Sequence, residues 1–242
     1  MSTVPARAPA ASRQRARMYY ISFGVIAALA VFIGFSRTYF LKGYFAAQPL
    51  SPLFHLHGLI FSSWIALFIT QSWLVSARRT DIHRKLGVAG GVLAGAMVEV
   101  GTLAGITAAR LGHSPSPAVP PLVFLSIPLF DIVQFAILIS AALYLRRRTD
   151  HHKRLMLVAT ISILSAAFAR FPIPVLYPYQ PHAAFLSTDI VLLSAIAYDT
   201  IKQGRLHKAF VWSGLLVILS YPLRLMVAGT SAWMTFAQWI TR

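Results

Sequence analysis

Seven stretches of this chain are too long and too apolar for a soluble fold: residues 18–40, 53–76, 86–109, 120–145, 154–172, 183–201 and 209–228. A helix that crosses the hydrocarbon core of a bilayer needs about 20 mostly apolar residues, and each stretch meets that length. The expected fold is therefore all-α: a polytopic membrane protein built as a seven-transmembrane-helix bundle. Composition closes the alternatives. Charged residues make up 12% of the chain and hydrophobic ones 57%, against about a quarter charged in a soluble domain. A disordered chain would instead be poor in apolar and aromatic residues. The chain has no cysteine, which excludes disulfides, iron–sulfur ligation, thiolate zinc sites and cysteine nucleophiles. A net charge of +16 would ordinarily suggest nucleic acid. Here the basic residues sit in the links between apolar runs, so no nucleic-acid partner is expected and the lipid bilayer is the first partner.

Lysine and arginine are retained on the cytoplasmic side of membrane proteins, and their distribution is lopsided. Arg7, Arg13, Arg15 and Arg17, with the links 77–85, 146–154 and 202–208, hold sixteen of the 22 basic residues. The other side keeps Arg37, Lys42, Arg110, Arg170, Arg224 and Arg242. This bias, with an odd helix count, predicts an N-in/C-out protein. Residues 1–17 read as a disordered basic tail, 18–230 as the transmembrane domain, and 231–242 as a short outer interfacial segment carrying Trp233, Phe236 and Trp239. The first run is long enough to span, so it reads as an uncleaved signal anchor.

The most informative pattern is a repeat. Thr80-Asp81-Ile82-His83-Arg84-Lys85-Leu86 opens the third run and Thr149-Asp150-His151-His152-Lys153-Arg154-Leu155 the fifth. Arg205-Leu206-His207-Lys208 opens the seventh. Orientation bias accounts for the cations but not for a histidine at the same step three times. Cations at a helix N-terminus also oppose the macrodipole by roughly 0.3–1 kcal/mol each, so a compensating group is expected. A second tier lies at the outer face. His55 and His57 are two residues apart in the second run and point about 200° apart at about 100° per residue, so they do not chelate together. His57 shares a stripe with Trp64 and Gln71 and is the better candidate, with His182 and His113 as possible outer partners. From His57 to the inner end of its helix is roughly 29 Å at about 1.5 Å per residue, so the two tiers would form two separate sites.

Charge inside the apolar runs is costly and normally paired. Glu99, Asp131 and Asp189 lie within runs; Arg37, Arg170 and Arg224, near outer helix ends, are their expected partners in an intramembrane charge network. Gly87, Gly91 and Gly95 form a ladder whose next rung is Glu99. Small faces of this kind let helices approach closely, and close helix packing is the expected use.

Phe54-His55-Leu56-His57-Gly58, together with the pairing of His83-Arg84-Lys85-Leu86-Gly87 and His152-Lys153-Arg154-Leu155-Met156 through Arg170, resembles a bacterial multi-pass family known as domain of unknown function 2306. The resemblance covers roughly residues 50–228. That family carries no assigned activity, and it is distantly like the transmembrane b-type cytochromes, whose helical cores hold haem between paired histidines. The resemblance thus implies haem b as a cofactor. Neutral histidine supplies axial ligands and nearby lysine or arginine pairs the propionates. The ligand candidates are His57 with His182 at the outer face, and two of His83, His152 and His207 at the inner face. Three functions stay open: an electron-transfer protein working to or from quinone; a non-redox transporter or a protein that binds anionic lipid headgroups, with the membrane acids in ion coupling; and an accessory subunit of a larger membrane complex.

Overall fold

The computed structural model describes residues 10–45, 49–114 and 119–242, with side chains from Met18 onward. The expected tail lies outside the described residues as far as Pro9; from Ala10 the backbone is already helical. Helix α1 (Ala10–Phe35) runs on through a wider π-type turn (Ser36–Phe40). It is followed by α2 (Pro52–Ser76), α3 (Thr80–Arg110), the short α4 (Pro121–Phe124) and α5 (Ser126–Tyr144). Then come α6 (Thr149–Ser162), the one-turn α7 (Ser165–Phe168), α8 (His182–Gln203), α9 (Lys208–Ala228) and α10 (Ser231–Ile240). No strand occurs among the described residues.

Six of these segments are long and apolar enough to cross a membrane. The run at 154–172 is absent from that set because it is broken. At Ile163–Leu164 the hydrogen bonds tighten to three-residue steps, Leu164 N–H to the Ile161 carbonyl and Ala167 N–H to the Leu164 carbonyl. The flanking serines turn their hydroxyls elsewhere: Ser162 donates to the Ala159 carbonyl and Ser165 to Asp131 Oδ2. Serine that bonds outside the regular ladder bends helices in this way. Across the break, 149–168 still extends roughly 30 Å at about 1.5 Å per residue.

This broken segment is the centre of the molecule. Helices α1, α2, α3, α5, α9 and α8 follow one another around it, each packed on the next. Leu157, Val158, Ala159, Thr160, Ile161 and Ser162 are all at most 2% exposed. A helix buried on every side gains little from hydrophobicity in lipid, where packing and interhelical hydrogen bonds hold segments together. Both are present. Trp64 Nε1 donates to Thr160 Oγ1 at 3.3 Å, and a Cβ on Gly34 of α1 would run into the Ala167 carbonyl of α7. The glycine ladder of α3 behaves otherwise. A Cβ at Gly87 would meet only Gln71 Nε2 at 3.7 Å, at Gly91 only Leu143 Cδ1 at 3.9 Å, and at Gly95 nothing within 4 Å. The expected close packing is made by Gly34, and by Gly101 against Ile132, not by this ladder.

The links 77–79, 145–148 and 204–207 lie at one end of the bundle, called the basic end below. The chain's last helix, α10, lies at the opposite end. Trp233 is buried there, with its indole N–H donating to the Leu122 carbonyl at 2.8 Å, while Phe236 and Trp239 stay exposed. Arg110 closes the far side by donating to the Thr241 carbonyl at 3.0 Å.

Candidate functional site: a histidine pair at the basic end

Helices α3 and α6 begin alike. His83 N–H donates to the Arg79 carbonyl and His152 N–H to the Arg148 carbonyl, so each histidine completes the first turn. The aspartate of each repeat supplies the compensation that the cations require. Asp81 lies 3.6 Å from Arg79, and Asp150 lies 2.6 Å from Lys153 and 3.5 Å from Arg154; acids in a first turn also suit the helix dipole.

The chain path then brings the two helix starts together. The rings of His83 and His152 lie 6.5 Å apart, centre to centre, crossed at 79°. His152 Nδ1 lies 2.8 Å from the Ala142 carbonyl, which only accepts, so Nδ1 is the donor and Nε2 is the nitrogen that could ligate. That carbonyl belongs to the last turn of α5, where helix-end acceptors need partners; Arg146 N–H goes to Leu143 instead. Gln71 of α2 donates from Nε2 to the His83 carbonyl at 3.2 Å. Gln71 Oε1 and His83 Nδ1 are both buried without a partner among the described residues. Gln71 of α2, His83 of α3 and His152 of α6 thus lie together with bonding capacity unspent, and Gly87 of α3 lies against Gln71 Nε2.

His207 is used differently. Its Nδ1 accepts from the Ala209 N–H at 3.1 Å and caps α9, while its ring lies 4.7 Å from His151. Burial, then Arg154 and His151, push its pKa below the ordinary value, which keeps the capping nitrogen unprotonated. At the opposite end no ring contact joins His57 to His182. His57 lies 4.1 Å from the Phe61 ring, with Nδ1 buried and unpartnered; His182 lies edge-on to Tyr221 at 5.7 Å.

The membrane charges sort into paired and unpaired. Arg224 Nη1 donates to Asp131 Oδ1 at 2.7 Å, Ser165 Oγ to Asp131 Oδ2 at 2.9 Å, and Arg224 Nη2 to Ser220 Oγ at 2.9 Å. Ser220 also bonds Gln134, and the guanidinium stacks over Phe185 at 4.7 Å. Asp189 is half-buried and Glu99 exposed on the bundle surface; neither has a hydrogen bond or ion pair among the described residues. Arg170 donates to the Ala166 carbonyl and lies over Phe35 at 4.9 Å, and Arg37 lies over Phe45 at 5.4 Å. Neither meets an acid.

A second buried pair escaped the sequence reading. Arg154 Nε and Nη2 grip Asp199 Oδ2 and Oδ1 at 2.8 and 2.9 Å, and Nη1 donates to the Asp150 carbonyl at 2.8 Å. Arg154 reads as one more orientation charge, yet it is 2% exposed. The available signal was Asp199 itself, an acid in the last turn of a helix where the dipole disfavours it. Both pairs fasten the central segment, Arg154 on α6 and, through Ser165, the start of α7.

No family model matches the chain, and neither a curated protein nor a solved structure matches it. What is established is the class: an all-helical protein with six helices fit to span a membrane, and so an integral, multi-pass membrane protein.

Proposed function

We propose that the chain has seven membrane segments, the broken central one included, lies N-in/C-out in a bacterial inner membrane, and belongs with the domain-of-unknown-function-2306 proteins. In this reading His83 and His152 hold a metal-centred group, haem b, for electron transfer with quinone as the lipid-phase partner. The observation that carries it is the approach of the two imidazoles. His83 and His152, whose ring centres lie 6.5 Å apart, would hold the group between them as its histidine ligands. The Ala142 bond supports the reading further, because a ligating histidine typically donates its other N–H to a carbonyl, which fixes tautomer and orientation. Arg84, Lys85 and Lys153, adjacent in sequence to the two histidines, would pair the propionates. Haem, when bound, supplies one-electron chemistry; the chain supplies ligands, orientation and surrounding charge. The geometry favours one centre at the basic end over a pair across the membrane, because His57 and His182 face different rings.

The test is the absorption difference, dithionite-reduced minus air-oxidised, of protein purified from haem-supplied cells. Sharp b-type bands are expected, lost in His83→Ala and in His152→Ala. A flat spectrum overturns the reading. Transport or anionic-headgroup binding would then stand in front, favoured by the break at Ser165 beside Asp131 and Arg224, since interrupted helices line substrate sites in transporters.

A further inference from the structure

Helix α3 is 31 residues long, roughly 46 Å at about 1.5 Å per residue, against a hydrocarbon core of about 30 Å. Glu99 lies four residues past its midpoint, about 6 Å from the centre by the same rise, and therefore at hydrocarbon depth. It points away from the bundle. Val88 and Val92 are 73% and 72% exposed, Leu103 is 47% exposed, and Gly95 and Glu99 are exposed between them. Spacings of three and four residues put all five on one face. The face is apolar apart from one carboxyl, and above Gly95 the backbone is uncovered.

Acids within membrane segments almost always face the bundle interior and pair, as Asp131 and Asp199 do. Glu99 does neither. Among the described residues no cation pairs with it: Arg154 and Arg224, the arginines buried in the bundle, are engaged by Asp199 and Asp131, and Arg170 and Arg37 lie over Phe35 and Phe45. A second copy meeting this face would bring the same deficit, Glu99 against Glu99. Charge complementarity calls for a donor from elsewhere. We propose that the α3 face of Val88, Val92, Gly95, Glu99 and Leu103 docks a membrane-spanning helix of another polypeptide that places a basic side chain at the depth of Glu99. Gly95 lets that helix approach closely enough for a lysine or arginine to reach the carboxyl, and the valines and Leu103 pack its flanks. The inference stands independently of any ligand at the His83–His152 pair.

The test uses the full-length protein in vesicles, donor-labelled, with acceptor-labelled single-span leucine peptides that carry either one central lysine or none. Energy transfer to the lysine peptide should exceed that to the plain peptide at least fivefold. It should fall to the plain level in Glu99→Leu, and drop in Gly95→Leu, which fills the groove but keeps the acid. Both substitutions lie on the bundle's outer surface, so thermal unfolding should match the wild type. Equal transfer to the two peptides overturns the proposal, as does a lysine preference that survives Glu99→Leu. So does transfer between differently labelled copies of the protein that Glu99→Leu abolishes, which would assign the face to self-association.

Discussion

The eight histidines divide by neighbour. At the basic end each lies against another histidine, His83 with His152 and His151 with His207. At the opposite end each lies against an aromatic ring: His55 on Tyr39, His57 on Phe61, His113 on Phe54 and His182 on Tyr221. A histidine against a phenyl or phenol ring is packed as an amphipathic aromatic, and a buried one such as His57 leaves a nitrogen idle. Two histidines that converge without an acid between them concentrate lone pairs in one place, which suits a metal or a hydrogen-bond donor. Residue type alone therefore says little; the partner that each ring meets separates a packing role from a binding one.

The largest effect expected from disturbing this contrast comes from the buried arginines. Removing one partner of a buried ion pair leaves the other charge uncompensated, at a cost of about 3–5 kcal/mol. Arg154→Ala and Arg224→Ala should both lower the thermal unfolding temperature in detergent steeply. They should differ in the proposed haem binding: Arg154 lies two residues from His152 on α6, so its loss should abolish binding, whereas Arg224→Ala should leave binding measurable below the transition. Equal loss of binding in both would mean that the ends are not independent.

A smaller effect is expected at Gln71. Gln71→Leu keeps the bulk but removes the bond to the His83 carbonyl, worth about 1 kcal/mol, so haem affinity of the apo-protein should weaken by about fivefold. An unchanged affinity would remove Gln71 from the site.

The smallest effect concerns His207. Its pKa lies below the ordinary value, so the folded protein resists protonating it, and its contribution is present above the ordinary value near 6.5 and fades as pH falls below it. The α9 cap should weaken by a few tenths of a kcal/mol between pH 7.5 and pH 5.5. His207→Asn caps without titrating and should flatten that part of the unfolding profile. A profile unchanged by the substitution would show that the cap does not sense pH.

Much of the fold was legible because length and apolarity dictate spanning helices whatever their neighbours. The break at Ile163–Leu164 was not, since no proline or glycine marks it; it depends on Ser165 turning to an aspartate 34 residues back. The third and fifth helix starts were legible as a repeat, but their meeting depends on which helices surround the centre, a matter of packing order. Arg224 with Asp131 could be guessed from membrane acids and nearby arginines. Arg154 with Asp199 was hidden because both lie near helix ends, where charge ordinarily serves orientation. The glycine ladder misled, because spacing shows that a face is small, not that a helix of the same chain covers it.

Haem content per chain is the most direct measure of the single centre proposed at the basic end. Haem extracted from purified protein and quantified against chain concentration should give one per chain. It should remain one in the double variant His57→Ala/His182→Ala and fall to zero in His83→Ala/His152→Ala. No haem in the wild type, or haem retained by the second double variant, would contradict the account.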